Sequence, residues 1–210
     1  MSLSISAAMS SQQNRKLTMT RTVTHMFDDY AQAQRAVAEL ERAGFTNSEV
    51  SLVSRYREDG ALADDTSGAA TGATVGGLAG AGTGLLAALG MIAIPGIGPL
   101  VAAGVLATTL TGAAAGSVAG GVIGALTDYG VSEEDAHLYS EGVRRGSTLV
   151  SVRADDARAA KAEQILSGQR PVDIAARRRQ YTEGGWSQYD PKAPGYTADE
   201  IRRERDSYTR

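Results

Sequence analysis

Cysteine is absent from the 210 residues, which excludes disulfides, thiolate metal sites and cysteine nucleophiles. Aromatic content is low, with two Phe and one Trp beside eight Tyr, so the core that can be built is small. Histidine occurs only at His25 and His137. A facing pair could bind a metal with carboxylates, but a sheet-facing and a helix-surface histidine need no such role. No G-x-S-x-G, no G-x-x-x-x-G-K and no G-x-G-x-x-G after a strand is present, which removes a nucleophile elbow, a phosphate cradle and a dinucleotide fingerprint. No catalytic, cofactor or metal site is expected. Charge is missing from the middle of the chain: residues 66–127 carry none. The flanks are polar, and the net charge of −3 argues against nucleic acid, which needs a basic stripe.

Glycine is what fills the charge-free block. It recurs at every fourth position as Gly68, Gly72, Gly76, Gly80 and Gly84, and again as Gly112, Gly116, Gly120 and Gly124. Gly104 keeps the phase, with Thr108 in the gap. The intervening residues are Ala, Leu, Val, Ile and Thr rather than the Ser and charge of a flexible linker. Each glycine costs a helix roughly 1 kcal/mol against alanine, so close backbone packing must compensate. Gly68–Leu89 is 22 residues, about 33 Å of helix. Leu100–Leu126 is 27 residues, about 40 Å. A hydrocarbon core needs about 20. The pattern therefore predicts a transmembrane helical hairpin over 66–127, turning at Pro95, Gly96, Gly98 and Pro99. The stripe glycines would pack helices together and drive homo-oligomerisation.

The flanking segments follow a different grammar. Val23, His25 and Phe27 alternate as in a strand. Asp28 or Asp29 caps a helix over Tyr30, Ala33, Val37 and Leu40, which Gly44 ends. Val50, Leu52 and Val53 form a second strand. After the block, Ser132 caps a helix with Ala136, Tyr139 and Val143 inward, and Gly146 closes it. Leu149, Val150 and Val152 form a third strand, and Asp155 or Asp156 caps a helix ending near Gly168. The order β-α-β, hairpin, α-β-α suits one small ferredoxin-like α+β sheet, residues 20–65 and 128–170, with helices on one face. Residues 1–19 read as a disordered tail, not a secretory signal. Residues 171–210 read as a polar tail. In it, Arg177, Arg178 and Arg179 form a solvated helix face or meet lipid headgroups. Thr197 with Glu200 is a capping box. Trp186, Tyr189 and Tyr196 clamp a partner subunit or lie on the domain.

Three stretches carry a family resemblance: Thr22-Val-Thr-His-Met-Phe, Ala36-Val-Ala-Glu-Leu with Ala43-Gly-Phe, and Val50-Ser-Leu-Val. Together they resemble the bacterial general stress protein 17M-like, or heat-induced YflT-like, domain family. Ile94-Pro-Gly-Ile-Gly-Pro99 and Thr148-Leu-Val-Ser-Val-Arg are similar to its glycine-zipper-bearing members, and the tail from Gly185 is like theirs. The resemblance covers roughly residues 20–170. It implies a stress-associated bacterial protein at the inner membrane, with the α+β domain cytoplasmic and no known catalysis. A soluble assembly that buries the hairpins, or a small-ligand-sensing module, would fit the same residues.

Overall fold

A computed structural model describes residues 20–55, 90–94, 97–107, 109 and 121–208. The expectations for Gly68, Gly72, Gly76, Gly80, Gly84, Gly112, Gly116, Gly120, Pro95 and Gly96, and for the tail 1–19, lie outside the described residues. Within them the chain is a mixed α+β domain. The elements are β1 (Thr20–Phe27), α1 (Tyr30–Arg42), β2 (Val50–Ser54), β3 (Gly90–Ile94), β4 (Gly98–Ala103), α2 (Gly121–Asp128), α3 (Glu133–Arg144), β5 (Thr148–Asp155), α4 (Asp156–Gly168), α5 (Ile174–Glu183) and α6 (Ala198–Tyr208).

The five strands form one antiparallel sheet in the order β1-β5-β2-β4-β3. β5 lies between β1 and β2, pairing Val23 with Val152 on one side and Val50 with Val152 on the other. β1 and β2 therefore run parallel, joined by α1 and split by a strand that follows the glycine block. The Arg153 N–H donates to the Glu49 carbonyl at 2.8 Å. That bond sets the hydrogen-bond parity across the sheet, because antiparallel pairs alternate between bonded and unbonded.

The helix boundaries follow their caps. Asp29 accepts from the Ala31 N–H at 3.0 Å, Ser132 from Asp135 at 3.2 Å and Asp155 from Arg158 at 3.0 Å. Each satisfies an orphan donor of a first turn. Thr197 and Glu200 form the reciprocal box: the Thr197 N–H donates to Glu200 at 2.8 Å and the Glu200 N–H to Thr197 at 3.3 Å. Gly44 and Gly146 take positive φ at the ends of α1 and α3, as a helix C-terminus prefers.

The helices cover both faces, not one. Val23, Phe27, Val50, Leu52, Val150 and Val152 pack with Ala33, Val37 and Leu40 of α1 and Ala159, Ala162 and Leu166 of α4. Met26, Val53, Ala102 and Leu149 pack with Ala125 and Leu126 of α2 and Ala136, Tyr139 and Val143 of α3. β2 is buried along its whole length, and a strand covered on both sides carries apolar residues at both parities. The run Leu149-Val150 with Val152 is that signature.

The expected helical hairpin is not what residues 90–104 form. β3 and β4 are a β-hairpin pairing Gly90 with Ala102 and Ile94 with Gly98. β4 joins the sheet by pairing Leu52 with Ala103. Gly98 and Pro99 thus begin a strand instead of breaking a helix. Pro99 has no N–H, and parity points its backbone towards β2, beyond Ser54, where that ladder ends. Gly104 belongs to no helix either: its φ is +82°, and a Cβ there would come within 2.1 Å of the Val50 carbonyl oxygen. The chain needs glycine here to turn off the sheet against β2. Among the described residues no helix is long and apolar enough to cross a membrane.

Gly104→Ala should therefore cost on the order of 2 kcal/mol or more, combining left-handed strain with a backbone clash. Gly44→Ala, with φ +87° but nothing within 4 Å of the new Cβ, should cost about 1 kcal/mol. Urea unfolding of both variants checks the ranking; equal losses would contradict the close approach at Gly104.

Candidate functional site

The two histidines lie on different elements, His25 in β1 and His137 in α3. His25 lies on the same parity as Val23 and Phe27, and its Nε2 sits 3.0 Å from Glu163 Oε1 of α4. Ser167 donates to the same oxygen at 2.9 Å. A hydrolase triad needs the imidazole between serine and carboxylate; here the carboxylate is in the middle, so the serine faces no base. Burial pushes the Glu163 carboxyl up, but Ser167 and His25 outweigh it and its pKa is lowered. His137 belongs to α3 on the opposite face of the sheet, so the two histidines cannot share a metal. No group of metal-ligating side chains gathers among the described residues. Asp29 and Asp155 are helix caps.

The dense polar chemistry is elsewhere, where the C-terminal segment crosses the end of the sheet. Arg177 of α5 is buried and grips Asp28 with both terminal nitrogens, Nη1 to Oδ1 at 3.0 Å and Nη2 to Oδ2 at 2.5 Å. Ser147 donates to the same carboxylate at 2.8 Å. The Arg177 guanidinium lies 3.7 Å from the Tyr208 ring centre. Arg145 donates to Glu141 and Glu204, both at 2.7 Å, and stacks 4.2 Å over Tyr181. Arg144 and Arg145 both reach the Tyr196 ring, at 5.0 and 5.5 Å. A planar, always-charged guanidinium suits this double use of edge and face. Burial disfavours the charged Arg145 and Arg177, yet their carboxylate partners reverse the sign and raise both pKa values.

This clasp reaches the start of the glycine-rich block. Arg55, next after β2, is buried and donates to the Tyr196 carbonyl at 2.8 Å. On the other exit, Ser51 Oγ accepts the Leu106 N–H at 3.1 Å and sits 3.3 Å from the Tyr129 hydroxyl. Thr22 donates to the Tyr129 carbonyl. The departure of the chain after β4 and its return before α3 are thus tied to the same patch of β1 and β2.

Several expected surface residues prove internal. Arg177 is buried and held by Asp28. Arg178 pairs with Asp135 at 2.7 Å and Glu134 at 3.1 Å, which leaves Arg179 as the exposed member of the three. Tyr189 is buried in the core of its own domain, Tyr196 packs on the other core, and Trp186 lies edge-on to Tyr181 at 5.8 Å. The i, i+4 spacings Glu141–Arg145 and Arg177–Tyr181 were the only sequence signals of the clasp, and such spacings are common on solvated helices. Gly124 lies in α2, and among the described residues nothing stands within 4 Å of the position a Cβ would take. No family model, curated protein or solved structure matches the chain.

Burial raises the pKa of Tyr181, Tyr208 and Tyr189, the last up to about 12. A folded-state value above the unfolded one contributes stability that is complete below about pH 10 and is lost as pH rises through the folded value. Unfolding free energy should hold to about pH 10 and decline above it, and Tyr189→Phe should flatten that decline; a rise above pH 10 would contradict the burial. Asp28→Ala and Arg177→Ala should each destabilise by about 2–4 kcal/mol, less than additively in the double variant. Strict additivity in denaturant titrations would contradict a shared ion pair.

Proposed function

We propose that the protein is a non-enzymatic, self-associating scaffold. Its α+β domain holds both ends of two glycine-rich segments, charge-free across 66–127, which pack against those of other copies. One observation carries the reading: each segment begins and ends on the same sheet. The first runs from Arg55, after β2, to Gly90, at the start of β3. The second runs from Leu106 to Ala125, both buried in one core cluster.

A segment that leaves and rejoins a domain on one side of a bilayer must cross it twice, which takes about 40 residues. Residues 56–89 number 34 and residues 107–124 number 18. These lengths favour packing among copies over a membrane-spanning hairpin. The glycine spacing supports close backbone contact, since roughly 1 kcal/mol per glycine has to be recovered by it. The absence of charge across 66–127 supports burial. The split β1-α1-β2 unit supports a ferredoxin-like assignment of the sheet, and the resemblance over residues 20–170 supports a role in stress.

Sizing of the full chain without detergent tests the reading. The expected result is one large species whose mass is a multiple of the chain's. Gly76→Leu with Gly116→Leu should reduce it towards the monomer while the circular dichroism of the sheet persists. A monomeric wild type, or a protein found only in carbonate-resistant membranes, would overturn the scaffold.

A further inference from the structure

The C-terminal segment begins at a strained residue. Among the described residues Arg170 is the one non-glycine with positive φ, at 58°. It precedes Pro171, and a proline favours extended backbone at the position before it. Such a conformation persists only where its surroundings over-determine it. Those surroundings come next in the chain, where the Val172 N–H donates to the Met26 carbonyl at 2.8 Å on the outer edge of β1. On the same edge the Tyr139 hydroxyl of α3 donates to the Thr24 carbonyl at 3.2 Å.

From there on the segment is attached unlike the rest of the domain. α1, α3 and α4 lie closely on the sheet and α2 on α3, whereas neither α5 nor α6 lies closely against another element along its length. Between Pro171 and Tyr208 the buried residues are Arg177, Tyr181, Tyr189 and Ile201. A unit with so few buried side chains and so much exposed backbone belongs to the least stable part of a fold. What it has is a web of shared anchors. Arg177 of α5 takes Asp28 of the domain with its edge and Tyr208 of α6 with its face. Arg145 of α3 takes Glu204 of α6 with its edge and Tyr181 of α5 with its face. The Tyr181 and Tyr208 hydroxyls stand 3.3 Å apart, and Tyr208 donates to Glu204 at 2.7 Å. Neither helix can leave without disturbing an anchor of the other. Arg55, bonded to the Tyr196 carbonyl at 2.8 Å between the two helices, extends the web to the residue from which the first glycine-rich segment departs.

We propose that residues 171–208 form a strap that docks and undocks as one unit while the sheet stays folded, and that its docking fixes Arg55 at the root of the first glycine-rich segment. Undocking relieves Arg170, uncovers Asp28 and the Met26 carbonyl, and frees the root from the Tyr196 carbonyl. The strap works within one chain, whether or not copies associate.

Native-state hydrogen exchange of the full-length protein, followed residue by residue, tests the strap. The amides of α5 and α6 should exchange through one shared opening, on the order of a hundredfold or more faster than those of β5. Tyr208→Phe removes a hydroxyl from α6 but keeps the ring under Arg177. It should speed exchange in α5 by the same factor as in α6, about fivefold for one hydrogen bond, and the guanidinium protons of Arg55 should follow. If Tyr208→Phe does not fold, Glu204→Gln, which weakens the tie to Arg145, reads the same coupling. Helices that exchange no faster than β5 would show that they open only with the whole domain and would overturn the strap. A variant that loosens α6 alone would overturn the single unit, and Arg55 protons that do not respond would overturn the hold on the root.

Discussion

Everything in the fold depends on β5 entering between β1 and β2. β1 and β2 come before the glycine-rich block and β5 after it, yet Val152 pairs with Val23 on one side and Val50 on the other. The long non-local closure that this pairing demands is set against apolar burial on both faces of β2 and most of β5. The consequence is topological. Whatever the block does, the elements before and after it belong to one sheet, so in sequence it is an insertion within the folded domain. β3 and β4 reinforce the constraint by stitching the middle of the block to β2.

The C-terminal segment turns this sheet into a base. Arg177 on Asp28, Arg145 on Glu141 and Glu204, and Arg55 on the Tyr196 carbonyl link the end of β1, the end of β2, α3 and the tail. Buried ion pairs of this kind add little net stability against an apolar alternative, because desolvation offsets the attraction, but removing one partner is costly. Their effect is to fix where the tail lies. Tyr189 on one core and Ile201 on the other show the same segment serving both faces. The edge of β1 is closed in the process.

Legibility in the sequence followed locality. The caps at Asp29, Ser132, Asp155 and Thr197, the glycine ends of α1 and α3, and the strands at Val23, Val50 and Val150 are all written in short windows, where side chain and backbone satisfy each other within four residues. The second helical layer is written in Leu149-Val150 with Val152, which has apolar residues at both parities, as a strand covered on both sides does. Residues 90–104 misled for a physical reason. Glycine at a helical period says how closely a backbone can approach another, not that it is helical, and at Gly104 the close approach is to the Val50 carbonyl of a neighbouring strand. The Arg–Tyr clasp was illegible because a buried arginine and a solvated one look alike until a distant carboxylate, such as Asp28 for Arg177, is folded against it.

The most direct test is whether residues 98–103 pair with β2 in the detergent-free protein. Nuclear Overhauser contacts between the α protons of Val53 and Ala102, an opposed and non-bonded pair, decide it. The account predicts a strong cross-strand contact there and between Met91 and Val101. Successive amide contacts from Leu100 through Gly104, with no contact from Ala102 to Val53, would mean a helix runs through this stretch, and the looped insertion would have to be abandoned.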